Sequence, residues 1–458
     1  MRLCITLNTK GLILIAASAS LLAGCMPFQN VHAQELEALV QSALDANPKV
    51  MTARATARAT NFEVTQAKAA WSPRLNLIAD PGRSFRFSGA TSIQAGDIGL
   101  RGSQLLYDGG KSDAEIDRQK ARLTASEHRV IVSAEQIASQ IADLYLEALK
   151  QTRLASVAAD NVAAHQDLVK RVQDIVVVDR GRGSDLIQSQ ARLEQARLSY
   201  QQRQSAYQEA IAQVASLVNR PLVRVSPVRD AAAFAPTSEA ATAELLKTHP
   251  AILAANADAA AASQAARIAA AWNKPRVDLQ TSLQRDPTFL SGHYGRAIDV
   301  RLVSNWTGYD GGGAQAAASA ASEQAQAALS TSDSIQRDLS VEVTRNLQAI
   351  ATRSTRAATW ADLITQLSSV KDGYWEQFKI GRRSILDLLN VQNEIFQAAS
   401  SAESDRTEIN QSQYRLLGAT AQLNAFLGLN VILPVREFAV CTFGLAHDRN
   451  INLRPPSG

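Results

Sequence analysis

The sequence predicts a mainly helical protein with a small β portion, built from two copies of one structural repeat. The letters Tyr-Asp-Gly-Gly occur at 107–110 and again at 309–312, an offset of 202 positions (309 minus 107). Two further dipeptides recur at that offset: Asn47-Pro48 as His249-Pro250, and Pro73-Arg74 as Pro275-Arg276. Each Tyr-Asp-Gly-Gly is followed by more than 100 residues without proline, which favours long helices. These anchors at one offset indicate a duplicated half of about 200 residues.

The bulk composition excludes several classes of protein. With 458 residues and a formal net charge of +4, the chain has no basic arm or acidic tail, so nucleic acid is not expected as a partner. Its three cysteines, Cys4, Cys25 and Cys441, form neither a metal-binding spacing nor a disulfide framework. The six histidines are scattered, and no catalytic or nucleotide-binding motif is present. We therefore expect no enzyme activity, no bound metal and no other cofactor.

The N-terminus is typical of an exported protein. Arg2 and Lys10 precede an apolar run at 11–23 that is too short to span a bilayer but suits a secretory signal. Two readings of the signal stay open: residues 1–33, ending in Val31-His32-Ala33, or residues 1–24, followed by Cys25 as the lipidated residue of a lipoprotein.

The first repeat is predicted at 34–220, with two strands within 74–107. Apolar spacing predicts its helices at 36–47, 50–70 and 111–179, with a returning helix after the next turn that runs to about 218. As one helix, 111–179 would be roughly 100 Å long. The glycines at 181 and 183 mark a turn, after which Ser184 or Asp185 is expected to cap the returning helix.

The second repeat is predicted at 251–430, after a proline-rich linker at 221–250. It repeats the plan, with two strands within 275–307 and a long helical hairpin. The hairpin helices are expected at 314–379 and 384–426, joined by a turn at Gly381. An irregular tail is predicted at 431–458.

The strand candidates of the second repeat have one apolar and one polar face. Val277, Leu279 and Leu283 alternate with Arg276 and Asp278. This pattern suits a membrane barrel with a wet lumen. It also suits an amphipathic sheet packed on a soluble core, which is favoured if these strands are considered alone.

Four strands cannot close a barrel, and open strand edges are not tolerated in lipid. If the strands enter a membrane, several chains must combine them, and three chains give twelve strands, a number known for membrane barrels. A helix of about 65 residues likewise needs neighbours to cover its apolar face. A self-associating helical tube continuous with a barrel would meet both needs.

The chain resembles the TolC-type outer-membrane channel family over nearly its whole mature length. The resemblance rests on the duplicated Tyr-Asp-Gly-Gly junction, the helix-Pro-strand joints and the segment 381–389, Gly-Arg-Arg-Ser-Ile-Leu-Asp-Leu-Leu. It implies a homotrimer in the outer membrane of a Gram-negative bacterium, in contact with outer-membrane lipid. The trimer would have a twelve-stranded β-barrel, four strands per chain, continuous with a long periplasmic α-helical barrel.

The family resemblance also implies partners: a periplasmic adaptor protein and an inner-membrane transporter. The segments 180–186 and 374–381 look most like the branch that exports large proteins by type I secretion, which implies a transporter of ABC type. Small-molecule efflux, of drugs or metals, is the alternative within the family. A periplasmic coiled-coil scaffold or adaptor without a pore is the alternative outside it.

The resemblance also suggests a gate at the two helical turns. By residue-to-residue match, Arg383 occupies the position of the family's gate arginine, Asp185 that of its acidic partner, and Ser184 that of a neighbouring hydroxyl. Phe378 falls where a gate tyrosine is common, but it has no hydroxyl. The alternative is that Arg383 and Asp185 are ordinary solvated charges at helix ends, where an exposed pair contributes only about 0–1 kcal/mol.

Two further groups of site residues follow from the resemblance. Asp387 matches an inner acidic ring of the pore, and Asn390 replaces a second acidic position of that ring. Adaptor contacts are expected at the turn glycines: Gly181, Gly183 and Gly381. A first-turn acid favoured by the helix dipole is the alternative for Asp387, and a glycine required for positive φ is the alternative for the turns.

Overall fold

The computed structural model describes residues 34–84, 93–286 and 295–429. The predicted signal peptide, the candidate lipidation site Cys25 and the predicted tail at 431–458 lie outside these residues. The elements follow one another in two similar runs. The first run comprises α1 (Gln34–Ala46), α2 (Pro48–Lys68), β1 (Arg74–Ser84), β2 (Ile93–Tyr107), α3 (Lys111–Val178) and α4 (Gly183–Val218). The second comprises α5 (Glu239–Lys247), α6 (Pro250–Ala270), β3 (Arg276–Asp286), β4 (Gly295–Asn305), α7 (Gly313–Lys379), α8 (Ile385–Ala419) and α9 (Leu423–Phe426).

The long helices agree with the sequence prediction except at two ends. Ser184 and Asp185 lie within the first turn of α4 and do not cap it, so that prediction is wrong. Instead, the Asp179 side chain accepts from the Gly181 N–H at 3.1 Å, which orders the turn before the helix. The predicted helix to residue 426 breaks near Ala421, whose φ of 55° ends α8 before α9 begins. The short helix α5, inside the predicted linker, was missed.

Both repeats begin a helix in the same way. The Asn47 side chain accepts from the Lys49 N–H at 2.9 Å, and His249 Nδ1 accepts from the Ala251 N–H at 3.1 Å. In each case proline occupies the first helical position, where its missing N–H costs nothing. Pro48 therefore starts a helix as well as ending the one before it.

The two Tyr-Asp-Gly-Gly junctions form the same structure. Asp108 accepts from the Gly110 N–H at 3.1 Å and from the Ser112 N–H at 2.8 Å. Asp310 accepts from the Gly312 and Ala314 N–H groups at 3.1 and 2.7 Å. Both glycines of each junction have positive φ, a conformation that glycine adopts without strain. The duplicated letters thus encode a strand-to-helix joint in which an aspartate satisfies otherwise unpaired N–H groups.

The four strands form one antiparallel sheet in the order β1-β2-β3-β4. The β2–β3 pair joins the two repeats, with Leu100 opposite Leu283. Because no other strand among the described residues pairs with β1 or β4, the outer edge of each strand has unpaired backbone groups.

One face of this sheet is apolar and exposed to solvent in the single chain. Register places the following residues on that face: Leu75, Leu77, Leu100, Leu279, Leu283, Ile298, Val300 and Leu302. Leu77 and Ile298 are 75% and 76% exposed. Within the described ranges no α-helix packs against the sheet, and only the short 3₁₀ turn Ala69–Trp71 meets the end of β2. The interpretation as a sheet packed on a soluble core is therefore wrong. On the opposite face lie polar residues such as Arg101 and Asp299.

The helices form their own core beside the linker between the repeats. Val40, Ile141, Leu146 and Leu417 belong to one apolar cluster that joins α1, α3 and α8. Two tyrosine hydroxyls attach the linker to this cluster: Tyr145 donates to the Ser226 carbonyl at 3.1 Å, and Tyr414 to the Arg229 carbonyl at 2.8 Å. Within the described ranges, no helix has an apolar stretch of the length that a membrane crossing requires.

Candidate functional site at the hairpin turns

Two turns lie at the far end of the long helices from the sheet. The first turn (179–183) joins α3 to α4, and the second turn (380–384) joins α7 to α8. They come from segments some 200 residues apart in the chain, yet they contact each other directly. Of the residues that the sequence assigned to a gate, Phe378 takes part in this contact, whereas Arg383, Ser184 and Asp185 lie in or beside the turns.

A single arginine connects the two turns. Arg182 of the first turn donates from Nη2 to the Phe378 carbonyl at 3.2 Å. Its guanidinium carbon also lies 4.5 Å from the centroid of the Phe378 ring. A weak ion pair of 3.9 Å to Asp179 completes its surroundings. Arg182 therefore holds the end of α7 against the first turn by a charge-assisted hydrogen bond and a cation–π contact.

Phe378 is a core residue within one chain. It is 1% exposed and packs in an apolar group that we call the tip cluster: Leu168, Val172, Phe378, Ile385, Leu388 and Leu389. The Trp375 ring lies 5.8 Å from the Phe378 ring. The role of Phe378 as a gate residue stays a prediction, but its burial explains how this position functions without a hydroxyl. An apolar ring fills the tip cluster and leaves no polar atom there to satisfy.

The predicted gate arginine, Arg383, has partners in its own second hairpin. Its Nε donates to Gln377 at 3.2 Å, its guanidinium carbon lies 4.2 Å from the Tyr374 ring centroid, and its Nη1 lies 3.5 Å from Asp387. Arg383 and its predicted acidic partner Asp185 are not paired within one chain. A link between them would have to form between neighbouring chains.

Asp185 and Ser184 occupy the start of α4. Ser184 is exposed and Asp185 is half-buried, and no ion pair to Asp185 occurs among residues 34–84, 93–286 and 295–429. A carboxylate in the first turn of a helix is stabilised by the partial positive charge of the N-terminus. Asp185 is therefore a carboxylate without a cationic partner in the part of the chain that the structure describes.

Asp387 is part of a capping box at the start of α8. The Ser384 hydroxyl accepts from the Asp387 N–H at 3.3 Å, and the Asp387 carboxylate accepts from the Ser384 hydroxyl at 3.1 Å and the Ser384 N–H at 3.3 Å. The Ser384 hydroxyl, the Ser384 N–H and the nearby Arg383 charge lower the pKa of Asp387. These contacts keep the carboxyl group ionised at neutral pH, as a pore ring of charge requires.

Asn390 lies one helical turn beyond Asp387. Residues three apart share a helix face, and Asn390 is exposed whereas the intervening Leu388 and Leu389 are buried in the tip cluster. Asp387 and Asn390 thus lie together on the side of α8 that faces away from the core. Pore lining by both residues stays a prediction.

The three turn glycines differ in what the backbone requires of them. Gly381 has a φ of +73°, so glycine is favoured there for conformational reasons. Gly181 and Gly183 do not have positive φ. A Cβ on Gly181 would lie 3.2 Å from Asp179 Oδ1, whereas a Cβ on Gly183 would meet nothing within 4 Å. The conformational explanation therefore holds for Gly381 and is wrong for Gly181.

Sequence reasoning missed two features of the turns. The first is the role of Arg182, which no local pattern could reveal because its partner is Phe378, in another hairpin. The second is a group of exposed apolar side chains near the turns: Val177, Val178, Ile187 and Ile380, all more than 60% exposed. The run of three valines at 176–178 before a glycine-rich turn was the available signal for this surface.

The described residues offer no site for a metal ion. Within those ranges, no three His, Cys, Asp or Glu side chains are grouped in a way that could hold one. The chemistry at the turns is instead that of hydrogen bonds, ion pairs and cation–π contacts, each of which can be made or broken by a small movement of a helix end.

Comparison with known proteins gives consistent matches. A family model described as outer membrane efflux protein matches residues 39–220 and 241–424. BepC, an outer membrane efflux protein of Brucella suis biovar 1 (strain 1330), is 22% identical over 449 residues, which is 97% of each chain. The outer membrane protein VceC of Vibrio cholerae superimposes with a TM-score of 0.75 at 19% identity, over 84% of this chain and 96% of VceC. The CmeC outer membrane channel of Campylobacter jejuni gives a TM-score of 0.73 at 14% identity, over 90% and 94% of the two chains.

Proposed function

The chain belongs to the outer membrane efflux protein family, and on that premise we propose that three copies form the exit duct of a tripartite export machine. As a member of this family it is a channel of the outer membrane, with its helical part in the periplasm, and not an enzyme. The resemblance to TolC-type channels is thereby confirmed. The cargo, the transporter type and the residues of the gate belong to the proposal.

The observation that carries the proposal is the exposed apolar face of the sheet, together with its two unpaired edges. One face exposes Leu75, Leu77 and Ile298, among other apolar residues, and both sheet edges have unpaired backbone groups. Burying a leucine or isoleucine side chain contributes about 1.5–3 kcal/mol, and unpaired backbone groups are costly in lipid. Pairing β4 of one chain with β1 of the next satisfies both edges, and three chains close a twelve-stranded barrel.

The helices support the same assembly. Exposed apolar residues recur along α7, at Leu329, Val341 and Val370. A helix of 67 residues with one side uncovered needs a neighbouring chain. A trimer places α7 against the first repeat of the next copy and forms a continuous helical wall.

At the turns, the proposed gate combines Arg383, Asp185 and Ser184 of neighbouring chains with Phe378 of the tip cluster. Asp387 and Asn390 form the proposed pore ring. Asp185 makes no ion pair within the described residues, and the Ser184 hydroxyl is exposed, which leaves both available to a neighbour.

We place the adaptor contact at the turns as well. Gly181, Gly183 and Gly381 leave little side-chain bulk there, and the exposed Val177 and Val178 supply apolar area for a partner. An exposed apolar patch on a protein surface commonly marks a protein contact.

Two cargo classes are supported by different observations. The segments 180–186 and 374–381 resemble the type I secretion branch, which favours a protein cargo and a transporter of ABC type. BepC, which matches 97% of this chain, is named an efflux protein, and this favours small molecules. Deleting the gene and comparing drug sensitivity with the secreted proteome distinguishes the two cargo classes.

The channel itself is tested by reconstitution. We expect the purified protein to require detergent, to run as a heat-sensitive trimer and to conduct ions in a planar bilayer. A periplasmic scaffold would instead be released from membranes by carbonate and would pass no current. Carbonate release together with absence of conductance would contradict the proposal.

A further inference from the structure

A polar cavity of about 380 Å³ lies between α3, α4 and α8, bordering the tip cluster at Leu389. Asn161 and His165 line it from α3, Arg192 from α4, and Asn393 and Phe396 from α8. It is large enough for a small organic molecule. Its polar groups converge from three helices on one space, and no acidic side chain is among the lining residues.

Arg192 is the cavity's single formally charged residue. It is half-buried, and its Nη1 donates to Gln195 at 2.9 Å. No carboxylate among the described residues lies within ion-pair distance of its guanidinium. Its neighbour Arg197, one turn further along α4, is paired with Glu194 at 2.7 Å. The Arg192 charge is therefore directed at the cavity without an anionic partner.

His165 adds a second unsatisfied group. It is 4% exposed, and its Nδ1 has no hydrogen-bond partner within the described part of the chain. Burial and the nearby Arg192 charge lower the pKa of His165, so the imidazole is neutral and holds one N–H donor. Asn161, on the same face of α3, is by contrast bonded to Gln392 at 3.1 Å. Of these two polar side chains on one face of α3, His165 therefore has a ring nitrogen left for a bound molecule.

We propose that this cavity binds a small organic carboxylate with an apolar body. The planar guanidinium of Arg192 suits a carboxylate because its N–H groups form a fork that can donate two parallel hydrogen bonds. The imidazole N–H of His165 supplies a third donor. Phe396, Leu198 and Leu389 line the remaining space and would contact the apolar body.

The site is tested by calorimetric titration of the purified full-length protein in detergent with benzoate. Benzamide, its neutral counterpart of nearly equal shape, is the matched probe. We expect benzoate to bind and benzamide to bind at least about tenfold more weakly, as the loss of a charge-assisted hydrogen bond implies. Arg192→Gln should weaken benzoate binding by at least about tenfold, and Arg192→Lys, which keeps the charge but not the fork, by less.

Arg197→Gln on the same helix is the control and should leave benzoate binding unchanged. Phe396→Ala should weaken benzoate binding while leaving Arg192 intact. Equal affinity of benzoate and benzamide, equal affinity in wild type and Arg192→Gln, or no benzoate binding at millimolar concentration would each overturn the proposal. Because the titration does not depend on cargo or conductance, its failure would leave the proposed channel function untouched.

Discussion

Arg182 and Phe378 are joined twice: the guanidinium donates a hydrogen bond of 3.2 Å to the Phe378 carbonyl and lies 4.5 Å from the ring centroid. Their hairpins also pack against each other along α3 and α8. Any movement that separates α7 from the first turn must therefore break both contacts. The relationship identifies Arg182 as a residue that holds the tip of each chain in its compact arrangement.

We predict that Arg182→Gln makes the channel open more readily. A cation–π contact contributes about 0.5–2 kcal/mol, and a hydrogen bond to a charged group about 1.5–3 kcal/mol. With three copies in the proposed trimer, loss of these contacts should favour the separated tip and raise single-channel conductance or open time in planar bilayers. Arg180→Gln is the control, since the Arg180 side chain is exposed and contacts no ionised or hydrogen-bonding group among the described residues. Identical traces for wild type and Arg182→Gln would show that this arginine does not hold the tip.

We predict that Asp387→Asn reduces block of the channel by multivalent cations. Three ionised carboxylates around a narrow passage attract cations, and the Ser384 hydroxyl together with Arg383 lowers the pKa of Asp387 and keeps it ionised. The amide removes the charge but preserves an oxygen for the capping box. Asp174→Asn, on the exposed surface of α3, is the control for loss of charge elsewhere near the tip. Block that is unchanged in Asp387→Asn would exclude a pore-facing ring.

A third prediction concerns Glu135, which is 6% exposed and whose carboxylate accepts from the Asn424 N–H at 3.3 Å. Its Oε2 atom has no partner within the described residues. Burial raises its pKa from 4.5 to about 7. Between these values the unfolded chain has lost the proton and the folded chain has kept it, so the folded state loses stability as pH rises.

Across that pH window the raised pKa of Glu135 lowers the free energy of unfolding by an amount on the order of 3 kcal/mol. We therefore expect the thermal midpoint of the wild-type protein to fall between pH 4.5 and pH 7, and Glu135→Gln to remove most of this slope. Glu394→Gln, at an exposed position of α8, should leave the slope unchanged. A slope equal in wild type and Glu135→Gln would mean that the carboxyl is ionised in the fold.

The fourth prediction compares the two strand-to-helix joints. Asp108 is 5% exposed and accepts from two N–H groups and from the Ser112 hydroxyl, whereas Asp310 is exposed and accepts from two N–H groups only. Leaving buried donors unpaired costs about 1–3 kcal/mol, and loss of an exposed cap about 0.5–2 kcal/mol. Asp108→Ala should therefore lower the thermal midpoint more than Asp310→Ala. Asp108→Asn keeps an acceptor oxygen and should lower the thermal midpoint less than Asp108→Ala does. An equal fall of the thermal midpoint in Asp108→Ala and Asp310→Ala would contradict the argument from burial.

Much of this architecture could be predicted because its signals are local. Long proline-free stretches with apolar spacing predicted α3, α4 and α7, and most of the predicted helix ends lie within one or two residues of the observed ends. The repeated aspartate and glycines predicted both strand-to-helix joints. The expectation of a trimer came from the family resemblance and stays a prediction, since the structure describes a single chain. The cap of α4 was misassigned because Ser184 is a good capping residue by type, while Asp179 satisfied the turn from five residues earlier.

The sequence by itself determined the repeat, the helices, the strands and the apolar face of the sheet. These features depend on propensities and spacings within short windows. Only the tertiary structure decided that the apolar face stays uncovered in one chain, that Arg383 bonds within its own hairpin, and that Arg182 reaches Phe378. The contact between Arg182 and Phe378 depends on which side chains meet when segments about 200 residues apart come together, and the Arg383 contacts depend on how the second turn folds back. No periodicity within a segment specifies either arrangement.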